Sequence, residues 1–483
     1  MRRVTLLLAV VVIAGIAGIL VRSGPRSLAR QEEAPSPTPL LAAPLPSTFQ
    51  YQGVASCASV ACHHGNGPSG TKGSEYTTWI AQKDPHSRAY TVLFDRRSLL
   101  IEKNLKGYKD LKQAQPHKDM LCLSCHVNPD VETAAHHERF SRADGVGCES
   151  CHGAAEKWLS VHHTKSWKRK SAEEKQREGM TNTKDVVIRA QVCVRCHVGW
   201  QEADVNHDLI AAGHPRLRFE YGAYLANYPS RHWKVAVDHE KYCDFESRAW
   251  LVGQVVSAKA ALELLEYRAD SEHRKPWPEF AEYGCFACHH DLKDQEWRRK
   301  PNVGQLPWGT WYFAQRTIVA GSLPTTRPAD DEPFNELTRL MAKNDPKPRE
   351  GIIKEAAKAV RVLDRWTDDL AKGKCQNKKS LEKLLAALTR EERQAKEADW
   401  DHAAQRYLGI AAIYNALGDV DANYRQDAEL KNSLHRLADL LSDAFHNKKE
   451  PRVKYDSPLN FDPDSLRQTL NHLREQLQRR GVE

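Results

Sequence analysis

Methionine is scarce in this chain, with four residues in 483. Met1 opens an apolar segment, Met120 stands two places before a cysteine, Met180 lies in a charged stretch and Met341 in a proline-rich one. A thioether side chain is therefore excluded as the recurring ligand of several metal centres. Also missing is any Lys/Arg stripe with interleaved aromatics, so the formal net charge of +8 does not carry the footprint of a nucleic-acid binder. Apolar residues make up only 41% of a chain whose length admits two or three domains.

Cysteine and histidine are plentiful instead, at 12 and 22 residues. The cysteines are patterned around Gly145–Gly153, which reads G-V-G-C-E-S-C-H-G. Its centre, Cys148-x-x-Cys151-His152, recurs as Cys122–His126, Cys193–His197 and Cys285–His289. A looser copy, Cys57-Ala-Ser-Val-Ala-Cys62-His63, has four residues between its thiols. Ten of the twelve cysteines thus stand in five pairs, each followed at once by histidine. A bare C-x-x-C also serves zinc sites and redox dithiols, but neither gives a reason for the histidine. Covalent haem attachment does: two close thiols bond the two vinyl groups of one porphyrin, and the adjacent histidine lies under its iron. The pattern predicts five covalently attached haem c groups on Cys57/Cys62, Cys122/Cys125, Cys148/Cys151, Cys193/Cys196 and Cys285/Cys288. The proximal iron ligands are then His63, His126, His152, His197 and His289. Each ferric haem brings about one negative charge, so five cancel roughly five of the positive charges. The loaded protein is only mildly basic.

Each iron needs a second axial ligand or keeps an open position. With methionine excluded, histidine must supply most of them, and bis-histidine ligation keeps potentials lower than His/Met would. Seventeen histidines remain outside the motifs, thirteen of them between His64 and His290. Five are distal candidates. His86 follows Asp84-Pro85, downstream of Trp79. His162 and His163 come ten and eleven residues after His152, close enough to reach a neighbouring haem. His207 and His214 lie in N-H-D-L-I-A-A-G-H-P, where Gly213 and Pro215 fix an irregular backbone. His64, His117, His136, His137, His232, His239, His273 and His290 read as solvated or structural, as do His402, His435, His446 and His472.

The chain divides by composition. Residues 1–30 hold a positive start and an apolar run from Val4 to Val21, a signal peptide or signal-anchor whose length favours an uncleaved anchor. Residues 31–50 are a Pro-rich linker. Residues 51–300 form a pentahaem cytochrome c domain of short helices and loops, in which porphyrins supply much of the core and the low apolar fraction is no obstacle. One helix is expected near Trp250–Tyr267, with Leu251, Val255, Leu262 and Leu265 near one face. Residues 301–350, where Pro307, Pro324, Pro328, Pro333 and Pro346 recur, read as a connector. Residues 351–483 show helical periodicity: Leu381, Leu384, Leu385 and Leu388; Tyr407, Ile410, Ala411, Tyr414 and Leu417; Leu466, Leu470, Leu473 and Leu477. The fold class is therefore mainly α, a multihaem cytochrome c fold followed by a helical bundle or helical-hairpin domain. Cys243 and Cys375 stand outside the motifs, as free thiols or a disulfide that export would permit.

The third motif, with C-L-S-C-H-V before it and C-V-R-C-H after it, resembles the tetrahaem cytochrome c-554 family of ammonia-oxidising bacteria. Trp79 and His86 after the first motif, and His162 ten residues beyond His152, fit the same resemblance, which spans roughly Ser56 to Trp200. It implies a mostly helical, haem-packed fold, stacked haem pairs and periplasmic electron transfer from hydroxylamine oxidation. It also implies distal ligand roles for His86 and His162, and a five-coordinate second haem at Cys122–His126. The widened first motif, the fifth motif, the His207–His214 segment, the C-terminal helices and the expected anchor segment depart from that pattern.

Two functions follow. In the first, the protein is a periplasmic relay passing single electrons between a redox-protein donor and acceptor, held to the inner membrane by its N-terminus. Every iron then carries two histidines. In the second, it is an oxidoreductase with one open haem, at His126, acting on nitric oxide, nitrite or hydroxylamine with His136 or His137 as pocket acid. The C-terminal helices would serve either as a docking module. The relay is the reading taken forward.

Overall fold

The computed structural model describes residues 49–482 apart from 69–70, 82–83, 129–134, 202, 229–237, 240, 286–288, 290–305, 344, 374, 391–398 and 444–460. The expected anchor, most of the Pro-rich linker, Cys288, His232, His290 and His446 lie outside the described residues. No helix among those described is long and apolar enough to cross a membrane. The chain is mainly helical, and its only β pairing among the described residues is three isolated bridges, Tyr51–His136, Trp200–Ala203 and Tyr283–Trp308.

The first part of the chain is built of short helices, and three of the motifs close one. The helices Met120–His126, Cys148–His152 and Val186–His197 each end on the motif histidine. Residues i and i+3 share a helix face, so the last turn presents both thiols on one side with the imidazole next to them. Two of the helices start at an aspartate. Asp119 accepts the Leu121 N–H, and Asp185 accepts those of Val187 and Ile188, which satisfies donors the helix itself leaves open. Apolar packing is sparse in this part of the chain. The described residues before Val186 form only small buried clusters, such as Leu93, Leu123 and Val127, or Ala155, Trp158 and Trp167.

From Val186 to Val482 one continuous apolar core takes over. Its axis is the 25-residue helix Phe245–Ala269, which lies along the helix Arg349–Lys372. The sequence suggests a helix with one buried face here, whereas the structure buries nearly its whole circumference. Small and apolar residues all round the helix leave no periodic contrast to detect, because neighbours pack on every side. The charged side chains caught inside are paired. Arg248 donates to the Leu370 and Gly373 carbonyls at 2.8 and 3.1 Å, and Lys259 bonds Asp364. Trp250 is fully buried, and a Cβ on Gly409 would come within 2.8 Å of its ring. Glycine is what lets the Trp400–Val420 helix approach so closely.

The C-terminal stripes read from sequence are buried in this core: Leu381, Leu384, Leu385 and Leu388; Tyr407, Ile410, Tyr414 and Leu417; Leu466, Leu470, Leu473 and Leu477. Ala411 is only partly buried against it. Residues 306–343, inside the stretch read as a connector, carry the helices Arg316–Ala320 and Glu332–Met341 and place Trp311, Phe334, Leu337 and Met341 in the same core. Pro328 and Pro333 sit in first helical turns, where a missing N–H costs nothing, so they start helices instead of breaking them.

Two side-chain links fasten the central helix. Cys243, just before it, forms a disulfide with Cys375, beyond the end of Arg349–Lys372, at a Cα separation of 5.8 Å. His239 lies between two carboxylates, Nε2 to Glu246 and Nδ1 to Asp419, both at 3.1 Å. Hydrogen bonds to Asp419 and Glu246 raise its pKa to about 9.

Two expected outcomes follow from these links. Cys375→Ser opens a loop closed across 132 residues. Chain entropy alone then predicts a loss of about 5 kcal/mol, seen as a lower thermal midpoint by circular dichroism. For His239, the folded pKa lies above the unfolded value of about 6.5. Its stabilisation is complete below that pH and is lost as pH rises through 9. His239→Gln should therefore lower the midpoint at pH 6 and leave it unchanged at pH 10.

Candidate functional site

Each motif puts its histidine at a defined place. In the widened first motif the backbone turns about Ser59, whose carbonyl accepts the N–H groups of Cys62, His63 and His64 at 2.9, 3.1 and 3.1 Å. The two extra residues are absorbed in that turn. In the third motif one of the two residues between the thiols does structural work: Glu149 accepts backbone N–H bonds from Gln52, Gly53 and Ala155 at 2.8–2.9 Å. Burial raises its pKa. Its carboxylate thereby ties the chain entering the first motif to the third. His152 closes the helix, and its carbonyl accepts the Thr181 N–H at 2.8 Å. In the fifth motif the His289 N–H bonds the Cys285 carbonyl at 2.8 Å.

The tertiary fold brings motif histidines opposite distant ones. His63 faces His162 with ring centres 6.0 Å apart and planes 12° from parallel. His207 faces His289 at 6.3 Å and 26°. His86 faces His197 at 6.0 Å and 88°. Two imidazoles on one iron, with metal–nitrogen bonds of about 2 Å and about 1.2 Å from nitrogen to ring centre, hold their centres roughly 6.3 Å apart. Ligation leaves each ring free to rotate about the axis, so parallel and perpendicular pairs both satisfy it. The separation is too wide for ring stacking in contact, and it fits an intervening iron.

The outer ring nitrogens of five of these histidines are held as such ligands require. The Nδ1 of His63 lies 2.8 Å from Glu75, that of His86 3.0 Å from Asp84, and that of His162 2.8 Å from the Leu159 carbonyl. His126 bonds the Ala89 carbonyl at 2.6 Å and His214 the Pro215 carbonyl at 2.9 Å. A proton fixed at Nδ1 leaves Nε2 as the free lone pair. Burial pushes His197 down to about 3 and His214 to about 4, and lowers His126, so these imidazoles are neutral near pH 7. Burial tends to raise Glu75 and Asp84, but the hydrogen bonds from His63 and His86 outweigh it and hold both carboxyls below their ordinary range. Asp84 is almost fully buried, and its other oxygen accepts the Tyr228 hydroxyl at 2.6 Å.

Two of the five distal candidates stand outside these three pairs. His214 is buried within electrostatic reach of His126. His163 is exposed and meets His162 edge-on at 6.0 Å, so among the described contacts it does not face a motif histidine. His136 stacks on Phe140 at 4.3 Å and His117 on Phe94 at 4.4 Å.

The motifs also touch one another. Cys57 of the first lies beside Cys148 of the third, and Cys125 of the second beside Cys196 of the fourth. Cys151 of the third lies within electrostatic reach of Cys193 and Cys196 of the fourth. The contiguous order is first, third, fourth, second. The segment His207–Arg216 adds the fifth, since His207 faces His289, His214 lies by His126, and the Arg216 guanidinium meets Cys285 Sγ at 3.1 Å. Arg216 also bonds Asp401 at 2.9 Å, and Arg218 Nε lies 3.2 Å from the same carboxylate. A cavity of about 40 Å³ beside this motif is lined by Arg216, Arg268, Glu282 and Tyr312 among others. Among the described residues, no motif cysteine belongs to a group of three metal-ligating side chains drawn together, as structural zinc would need.

Sequence reading missed Glu75, Glu149 and Arg216. Glu149 alone carried a local signal, as an acid enclosed between two thiols.

The family model for cytochrome c554 and c-prime matches residues 56–153 and 154–212. The match takes in the first four motifs and ends before the fifth. No curated protein and no solved structure matches the chain.

The pairing distinguishes two adjacent histidines. His162→Ala should convert one low-spin ferric haem to high spin in the electron paramagnetic resonance spectrum, whereas His163→Ala should leave the low-spin set intact.

Proposed function

The chain is a cytochrome c-554-like multihaem cytochrome, and on that premise we propose that it relays single electrons through five haems between a donor and an acceptor redox protein outside the cytoplasm. The observation that carries this reading is the set of three histidine pairs at 6.0–6.3 Å, each joining one motif histidine to a distant one. Haem c, when bound, supplies a one-electron ferric/ferrous couple. The chain's own residues do the rest. The motif thiols fix each group in place, and the paired imidazoles saturate the metal so that substrate has no coordination site. Glu75, Asp84 and the carbonyls of Ala89, Leu159 and Pro215 keep the ring nitrogens aimed, so little rearrangement accompanies a change of charge.

Contact among successive motifs supports a continuous path: first to third, third to fourth, fourth to second, with the His207–Arg216 segment bridging to the fifth. The apolar run from Val4 to Val21 supports export and attachment at the inner membrane, with the haem domain in the periplasm. The continuous core from Val186 onwards supports the C-terminal helices as the rigid frame of the fifth site and as a surface for a partner. An enzyme with an open second haem requires an unopposed His126. The burial of His214 beside it, with Nδ1 already engaged, favours the relay.

The ferric spectrum of the purified holoprotein, repeated after reduction under carbon monoxide or nitric oxide, tests this. A haem-to-protein ratio of five, wholly low-spin signals and no change under the gas are expected. One haem in five that is high-spin and binds the gas would overturn the relay and return the open-site oxidoreductase.

A further inference from the structure

The groups behind the ligating imidazoles are not alike, and their difference has a direction. At the first motif, His63 Nδ1 is 2.8 Å from the Glu75 carboxylate. At the fourth, the opposing His86 has its Nδ1 3.0 Å from Asp84, a carboxylate that is buried and further fixed by Tyr228. At the second, both His126 and the nearby His214 meet neutral backbone carbonyls. At the fifth, the Arg216 guanidinium lies 3.1 Å from the attachment sulfur of Cys285. Asp401 meets the same Nη1 of Arg216 at 2.9 Å and accepts the Thr310 hydroxyl, but Arg218 Nε lies 3.2 Å from its other oxygen, so the two guanidiniums and one carboxylate keep a net positive charge beside Cys285. Asp399 caps the Trp400–Val420 helix through His402.

A carboxylate accepting the Nδ1 proton draws it away from the ring, makes the imidazole a stronger donor to iron and stabilises the more positive ferric state. A neutral carbonyl does this less. A guanidinium in a low-dielectric setting does the opposite, favouring the ferrous state, which is less positive by one charge. We propose that Glu75 and Asp84 hold the haems of the first and fourth motifs at low potential while Arg216 raises that of the fifth. From the fourth motif onwards the path first, third, fourth, second, fifth then runs downhill, towards the end of the haem domain framed by the C-terminal helices. This rests on the relay reading, and it adds the sense of flow and the three residues that set it. Each transfer moves one electron from a one-electron donor, with no bond made or broken.

The test is a spectroelectrochemical titration of the full-length holoprotein and of Glu75→Gln, Asp84→Asn and Arg216→Gln, with individual haems resolved by electron paramagnetic resonance. Glu75→Gln and Asp84→Asn keep a hydrogen-bonding group in place and remove only the charge, whereas Arg216→Gln removes the guanidinium together with its bond to Asp401. At a fixed potential, Glu75→Gln and Asp84→Asn should each lower the ferric/ferrous ratio of one low-spin haem about tenfold, a shift of about 59 mV for one electron. Arg216→Gln should raise the ratio of a different haem by a similar factor. If the haems stay low-spin but no ratio moves by more than twofold, or if the first-motif haem is the most oxidising, the proposal is overturned while the relay stands. A high-spin haem already present in the unaltered protein would sink the relay instead. Circular dichroism and haem count on each variant identify a folding defect. Should one occur, Glu75→Ala with added acetate replaces the variant, and failure of acetate to restore the original ratio counts against the proposal.

Discussion

Two imidazoles must be kept about 6 Å apart, edge nitrogens facing, and the architecture follows from meeting that requirement several times in one chain. An imidazole on a flexible side chain does not stay at such a spacing unaided. Its ring has to be gripped at Nδ1, and the gripping group has to be anchored in turn. In this protein the grips are carboxylates and backbone carbonyls from segments remote from the opposing motif. His86, for example, is aimed by Asp84, which Tyr228 fixes from a stretch of chain 144 residues away. A loop-rich domain with small apolar clusters is suited to this, because loops expose the carbonyls that helices consume internally.

That solution leaves the haem-bearing region short of packed side chains, and the C-terminal half supplies what it lacks. The fourth-motif helix Val186–His197 belongs to the same core as the helices up to residue 479. The Phe245–Ala269 helix buries Arg248, Lys259 and Arg268, and each is matched by carbonyls or carboxylates. Pairs of this kind stabilise little compared with apolar packing, and breaking one strands its partner. Their contribution is to orientation. Arg268 joins Asp204, three residues before His207, to Glu282, three before Cys285, so one buried cation aligns both sides of the fifth site.

How much of this was legible depends on whether chemistry acts locally along the chain. Thioether attachment demands two thiols and a histidine within a few residues, and so the five motifs stand out. The C-terminal stripes were equally plain, because a helix with one wet face must alternate with period 3.6. The central helix was harder, being wrapped on every side, and residues 306–343 hid two helices behind prolines that occupy first turns. Distal pairing was only partly accessible. His86, His162 and His207 could be listed as candidates, but nothing in the one-dimensional chain says that His162 turns inward while His163 stays exposed. That choice is made by the last turn around Trp158, whose neighbours place the Leu159 carbonyl under the ring of His162.

The same distinction separates sites from their tuning. A ligand must be a histidine, which composition reveals, whereas the group behind it need only present an oxygen, which any backbone can. Glu75 stands in a short helix after the first motif and Asp84 in an Asp-Pro-His turn, and neither spacing is dictated by haem chemistry. Carboxylates placed there are under no local obligation: the carbonyls of Ala89 and Pro215 hold their imidazoles just as close. Where a neutral group would suffice for geometry and a charged one is present, the charge itself is the difference that acts on the metal. In a site sheltered from water that difference is weakly screened, so a single oxygen pair can rank one haem against the next without altering the fold that holds them.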